Sequence, residues 1–173
     1  MKSLFTAIIS FLIVLFLGLH ILGQQSVNMA SIEIQTIKCH LNGLLPDPAC
    51  TPGVINPDVT QENIKQTICT TGYTKTIRPS VSYTNALKIK QMGEYGISNL
   101  SMSDTEEDHL ISLEIGGNPT DPKNLWPEAY LPKPGARQKD VVESRCHRMV
   151  CAGTITLAQA QHEIATDWTN ACK

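Results

Sequence analysis

The sequence predicts an α+β domain with a small core that disulfides help to hold. Three observations carry this. A short run of alternating apolar residues, from His109 to Ile115, is followed beyond a Gly-Gly turn by a second extended stretch, Asn124-Leu125-Trp126. Two segments nearer the C-terminus have helical periodicity instead. Six cysteines lie beyond an apolar N-terminal run, an even number that fits disulfides in an oxidising compartment.

Apolar content (42%) is ordinary for a globular chain, whereas charged content (17%) is low. The net charge of −2 excludes a chain that is basic throughout, so any contact with nucleic acid must come from a local patch. Residues 1–23 read as a signal peptide or an N-terminal anchor. Lys2 supplies the positive start, and residues 4–22 are free of charge and long enough to serve as a membrane tether. Gly23 and Ala30 are both candidate cleavage positions. The expected location is therefore secreted, periplasmic or in the cell envelope.

Residues 24–45 are polar and lack clear periodicity, which suggests a loose lead-in to a domain over 46–173. Pro46, Pro48 and Pro52 rule out helix or central strand at its start. Thr60 with Asn63 opens a short helix to about Ile68. The β-branched Thr74-Lys75-Thr76-Ile77-Arg78 reads as a short strand stopped by Pro79. Ser82 is the expected N-cap of a helix from Tyr83 to Met92, closed by Gly93.

The central strand then places Ile111, Leu113 and Ile115 on one face, and His109 shares their parity. Gly116 to Pro122 is turn by composition. Ala136 to Cys151 is a helix, with Val142, Cys146, Met149 and Val150 on its buried side and Gly153 at its end. Thr156 with Gln159 forms a capping box for a last helix to about Ala171.

Cysteine pairing is not fixed by spacing. Cys50 with Cys69 would close a loop of modest length, and both are disulfide candidates. Cys146 and Cys151 point in different directions from one helix and are not expected to pair. A Cys/His zinc site is disfavoured, since no C-x₂-C pair exists.

The Asp108-His109 pair carries chemistry. Hydrolysis of a phosphodiester needs an in-line water, a base to take its proton, and a cation to bear charge on the phosphate and leaving oxygen. Asp108 offers a hard oxygen ligand of the kind Mg²⁺ prefers. His109 titrates in the range suited to a general base near neutrality. Asn124, on the returning limb, could bond the backbone of the histidine strand or complete the ligand set. A helix packed on this hairpin could bring Asp140 or Glu143 to the same place.

The stretch from Glu107 to Gly117, with Asp121-Pro122-Lys123-Asn124-Leu125-Trp126-Pro127 after it, resembles the D-H-x-x-P-L-x-x-G-G…N-L pattern of HNH endonucleases. More closely, the chain resembles a group of uncharacterised bacterial secreted or envelope HNH-like proteins. It shares with them Pro48-x-Cys50-Thr51-Pro52-Gly53, Thr67-Ile68-Cys69, Arg78-Pro79, Lys139-Asp140-x-x-Glu143 and Val150-Cys151. The resemblance covers about residues 46–170 and departs at Ser112, where the pattern has proline.

It implies a ββα-metal core with extra N-terminal and C-terminal helices, stapled by disulfides. It further implies His109 as general base, Asn124 as the residue that orients the histidine loop, and Asp108 as a metal ligand. The helical ligand is open: Asp140 first, Glu143 second, His147 third. The ion implied is Mg²⁺, with Mn²⁺ or another divalent ion as alternatives, and no small-molecule cofactor.

Residues 123–148 hold six cationic side chains against three acidic ones, a local excess of three positive charges. Arg137 and Lys139 are the candidate phosphate contacts, with DNA the expected partner rather than RNA and with weak sequence preference. The expected function is a metal-dependent endonuclease. The alternative is a catalytically inactive HNH-like module that binds or sits in the envelope.

Overall fold

A computed structural model describes residues 38–173, so the expected signal peptide or anchor and most of the expected lead-in lie outside the described residues. Among the described residues, four helices and a two-stranded antiparallel sheet make up the fold: α1 (Tyr73–Ile77), α2 (Val81–Glu94), β1 (Thr105–His109), β2 (Leu125–Ala129), α3 (Ala136–Ala152) and α4 (Leu157–Asp167). This is the mixed α+β arrangement expected, with the order strand, loop, strand, helix at its centre.

The N-terminal part is irregular but tied down. Residues 38–45, expected to be loose, belong to the folded body. The backbone N–H groups of Lys38 and Cys39 donate to Glu94 O, and the Trp168 indole donates to Leu44 O at 3.0 Å. The helix expected from Thr60 is a series of turns. The Asn63 carboxamide accepts from Thr60 N and donates to Asp58 O, so it competes with the helical bonds it was expected to start.

The strand expected at Thr74–Arg78 is the short helix α1. A strand there would have no partner among the described residues, whereas the helix meets its backbone groups locally, as Arg78 N does on Thr74 O. Helix α2 begins two residues earlier than expected, because Ser80 rather than Ser82 accepts from Tyr83 N. Helices α3 and α4 start as expected, and the Thr156 hydroxyl accepts from Gln159 N.

The largest correction concerns the central strand. β1 ends at His109 instead of starting there, and residues 110–124 form a loop with two short 3₁₀ turns, Leu113–Ile115 and Pro122–Asn124. The alternation from Leu110 to Ile115 misleads because both parities are buried. Ser112 caps the first turn by accepting from Glu114 N. Asn124 takes the backbone groups of Ile111 that a strand would have paired. The loop straddles two apolar clusters: Ile111 and Ile115 enter one with α3 and α4, while Leu110 enters another with Cys39, Tyr95 and Trp126.

β2 runs on through Pro127, beyond the stretch Asn124-Leu125-Trp126 expected from sequence. Leu110 N donates to Asn124 O and Tyr130 N to Asp104 O, so residues 108/126 and 106/128 are the hydrogen-bonded pairs. Pro127 faces Glu107 in a non-hydrogen-bonded pair, and its nitrogen points to the outer edge of the sheet. Side chains of α2 meet the outward carbonyls: Lys88 Nζ donates to Thr105 O and Gln91 Nε2 to Leu125 O, each at 2.8 Å.

All six cysteines are paired, as Cys39–Cys50, Cys69–Cys151 and Cys146–Cys172. Cys50 and Cys69 thus enter different disulfides, which corrects their suggested pairing. Three disulfides suggest an oxidising, extracellular environment. Among the described residues no helix is long and apolar enough to cross a membrane.

Cys69–Cys151 spans 82 residues and Cys39–Cys50 only 11. Chain entropy then makes the first worth about 4–5 kcal/mol and the second about 3 kcal/mol. Denaturant unfolding of Cys69→Ala/Cys151→Ala is expected to show a larger loss of stability than that of Cys39→Ala/Cys50→Ala.

Candidate active site where the first strand meets the third helix

Strand alternation divides the end of β1 between two faces. Asp108 lies opposite Trp126, and Glu106 opposite Glu128, so these four share a face; Glu107 and His109 belong to the other. Helix α3 delivers Lys139 and Glu143, four residues apart and so on one side of the helix. Lys139 is 1% exposed. Its ammonium donates to Asp108 Oδ2 at 2.5 Å, to the His109 carbonyl at 2.8 Å and to Glu143 Oε1. All three of its protons are used.

Two oxygens on one nitrogen lie within about 5 Å of each other, so Asp108 and Glu143 converge on a single point. Asp140, ranked first from sequence, is exposed and stands to one side of that point. His147, ranked third, faces elsewhere and meets the Ile68 carbonyl. Arg137 is at the surface with its guanidinium 4.9 Å from the centre of the Tyr130 ring. Lys139 was expected to touch phosphate; its burial corrects that reading, because a fully bonded interior ammonium cannot reach a ligand at the surface.

Charge at this point is unbalanced. Burial alone would push the Lys139 pKa down, but the neighbouring Asp108 and Glu143 outweigh it and keep the group charged. Glu128, 3% exposed, is raised far above the usual carboxylate range by burial and by Asp108, so it holds its proton. Its Oε2 has no partner among the described residues. Burial raises Glu143 as well, against the pull of Lys139. Glu128 was missed from sequence; its register opposite Glu106 was the usable signal.

On the other face, the His109 Nε2–H donates to the Pro119 carbonyl at 3.0 Å. That leaves Nδ1 with its lone pair. Burial lowers the pKa of the ring, with Arg78 and Lys139 adding to the effect, so the imidazole is neutral near pH 7. The loop after His109 is clamped by Asn124. Its Oδ1 accepts from Ile111 N at 3.0 Å, and its Nδ2 donates to Ile111 O at 3.0 Å and to Asn118 O at 2.9 Å. Gly117 is required beside it, since a Cβ there would lie 1.6 Å from Ile111 O.

A second group lies on α3 away from this point. Cys69, His147 and Cys151 each offer a ligand atom, all within 4.8 Å of one another, although the two sulfurs are joined. The absence of C-x₂-C had disfavoured such a group. The signal in the sequence was the i,i+4 spacing of His147 and Cys151.

Asn124→Ala removes three buried hydrogen bonds and is expected to cost roughly 2–4 kcal/mol, read by denaturant unfolding. The Glu107 carboxyl supplies a pH test. Burial pushes it up to about 8 from an ordinary 4.5, and both of its oxygens are without partners among the described residues. The folded chain therefore binds a proton between these pH values that the unfolded chain has released, and stability falls as pH rises through that window. Unfolding curves of Glu107→Gln across pH 4.5 to 8 are expected to show a shallower fall than those of the parent.

The chain matches no protein-family model, no curated protein and no solved structure.

Proposed function

We propose that the chain is a metal-dependent endonuclease of the HNH type, hydrolysing phosphodiester bonds of nucleic acid. The observation that carries this is the convergence of Asp108 and Glu143 on one point at the backbone carbonyl of His109. The ββα order of β1, β2 and α3 supports a ββα-metal core, and the Asn124 clamp on the histidine loop supports the role implied by the resemblance.

The donor set fits a divalent ion in type and charge. Asp108 and Glu143 supply hard oxygens, and Glu128 adds a buried carboxyl oxygen without a partner. Asp108 and Glu143 would hold Mg²⁺, or Mn²⁺ or another divalent ion, with Glu128 beside them. The ammonium of Lys139 occupies the same point, so ion and ammonium compete for these carboxylates. The ion when bound supplies positive charge against that developing on phosphate and leaving oxygen.

The chain's own residues do the rest. His109, neutral and held by Pro119, takes the proton of a water at Nδ1. Asn124 fixes the loop that carries Pro119 and so fixes the ring. Arg137 with exposed Lys123, Lys133 and Arg148 provides charge for a phosphate backbone, which favours weak sequence preference. DNA is the proposed substrate before RNA. The disulfides, together with residues 4–22 read as signal or tether, support secretion or residence in the envelope.

The second reading, an inactive module that binds nucleic acid, is favoured by one observation: Lys139 already neutralises the point that an ion would need. Plasmid nicking by the chain in Mg²⁺ and in Mn²⁺ separates the two. Cleavage is expected, with His109→Ala at least about 100-fold slower. No cleavage in any divalent ion, or equal cleavage by the variant, overturns the nuclease. Salt-dependent retention of DNA without cleavage would then support the binding module.

A further inference from the structure

Helix α3 carries two chemistries at two places along its length. One is the Lys139 point. The other, at its C-terminal end, is the group of Cys69, His147 and Cys151, whose ligand atoms lie within 4.8 Å of one another. His147 and Cys151 are four residues apart on one helix face, and Cys69 reaches them from the turns before α1. The imidazole is already held: its Nε2–H donates to Ile68 O at 2.9 Å. A backbone bond of that kind fixes the tautomer and direction of a metal-ligating histidine.

Two further observations bear on access. A cavity of about 220 Å³ opens at the group, lined by Cys69, His147, Glu114 and the hydroxyl-bearing Thr70, Thr71 and Thr74. It is polar and can admit water and an ion. The three disulfides also differ in exposure. Cys146 and Cys172 are both buried, Cys39 is buried with Cys50 partly exposed, and Cys69 and Cys151 are both partly exposed. Cys69–Cys151 is the disulfide that a reductant can approach from both of its cysteines.

We infer that reduction of Cys69–Cys151 turns this cross-link into a site for one soft divalent cation of the Zn²⁺ class, held by the thiolates of Cys69 and Cys151 and by His147. A dithiol supplies the two electrons. The protein S–S bond breaks, the dithiol closes to its own disulfide, and two protein thiols form. Cation binding then releases their two protons to water. Tetrahedral ligation at ~2.3 Å to sulfur and ~2.0 Å to nitrogen needs ligand atoms roughly 3.3–3.8 Å apart, within the compass that the three residues already occupy. The fourth position is open to water from the cavity. The inference does not depend on the nuclease reading, because it uses none of the residues at the Lys139 point.

The test uses the full chain and Co²⁺ as a coloured probe. Limiting dithiol is added, and alkylation followed by peptide mapping identifies the cysteines released. The expected result is early release of Cys69 and Cys151, then thiolate–Co²⁺ absorption saturating at one ion per chain. The oxidised chain is expected to show none, and reduced His147→Ala to bind at least tenfold more weakly. Should the reduced chain lose its circular dichroism, added Co²⁺ is expected to restore it. No absorption with Cys69 and Cys151 shown free, equal binding by His147→Ala, or failure of Co²⁺ to restore a lost fold overturns the inference.

Discussion

The ammonium of Lys139 is the constraint on which the centre of this molecule depends. It joins the last residues of β1 to the second turn of α3 through Asp108, the His109 carbonyl and Glu143. A buried cation is tolerable only because each of its protons has an acceptor and two of these acceptors are carboxylates. Loss of the ammonium would leave buried carboxylates facing one another, so the same contact that locates the helix also keeps the acidic cluster together. Helix and hairpin cannot be described separately for this reason.

The loop after His109 depends on a different kind of bond. Asn124 has no exposed surface and gives both ends of its carboxamide to backbone groups. It substitutes for a strand partner at Ile111, and so allows the chain to leave β1, fill two apolar clusters with Leu110 and Ile111, and return as β2. The histidine sits at the point of departure. Its ring bonds Pro119 within the very loop that Asn124 closes, so the direction of the imidazole is inherited from the clamp.

Legibility of the sequence followed the range of the forces involved. The helices α3 and α4 were readable because periodicity and capping are local: Thr156 with Gln159 and the stripe from Val142 to Val150 need no distant partner. The strand was misplaced because Leu110 to Ile115 reads as alternating in polarity although every residue but Glu114 is buried, and only the distant Asn124 decides its path. Asp108 and His109 were visible as a pair, but the choice of Glu143 over Asp140 rests on the rotation of α3 about its axis. Lys139 was read as a surface charge, since nothing local reveals that three acceptors wait for it. Cysteine pairing was unreadable in the same sense, as Cys69 and Cys151 meet only through the finished fold.

The proline in β2 has a consequence for how the protein meets other chains. A sheet of two strands has two open edges, and an open edge is a template on which a foreign strand can add. Here the outer edge of β2 lacks a donor at Pro127, and its Leu125 carbonyl is already engaged by Gln91. On the outer edge of β1, the Thr105 carbonyl is engaged by Lys88. The ribbon is thus closed to growth by its own side chains, and two strands are where this sheet stops.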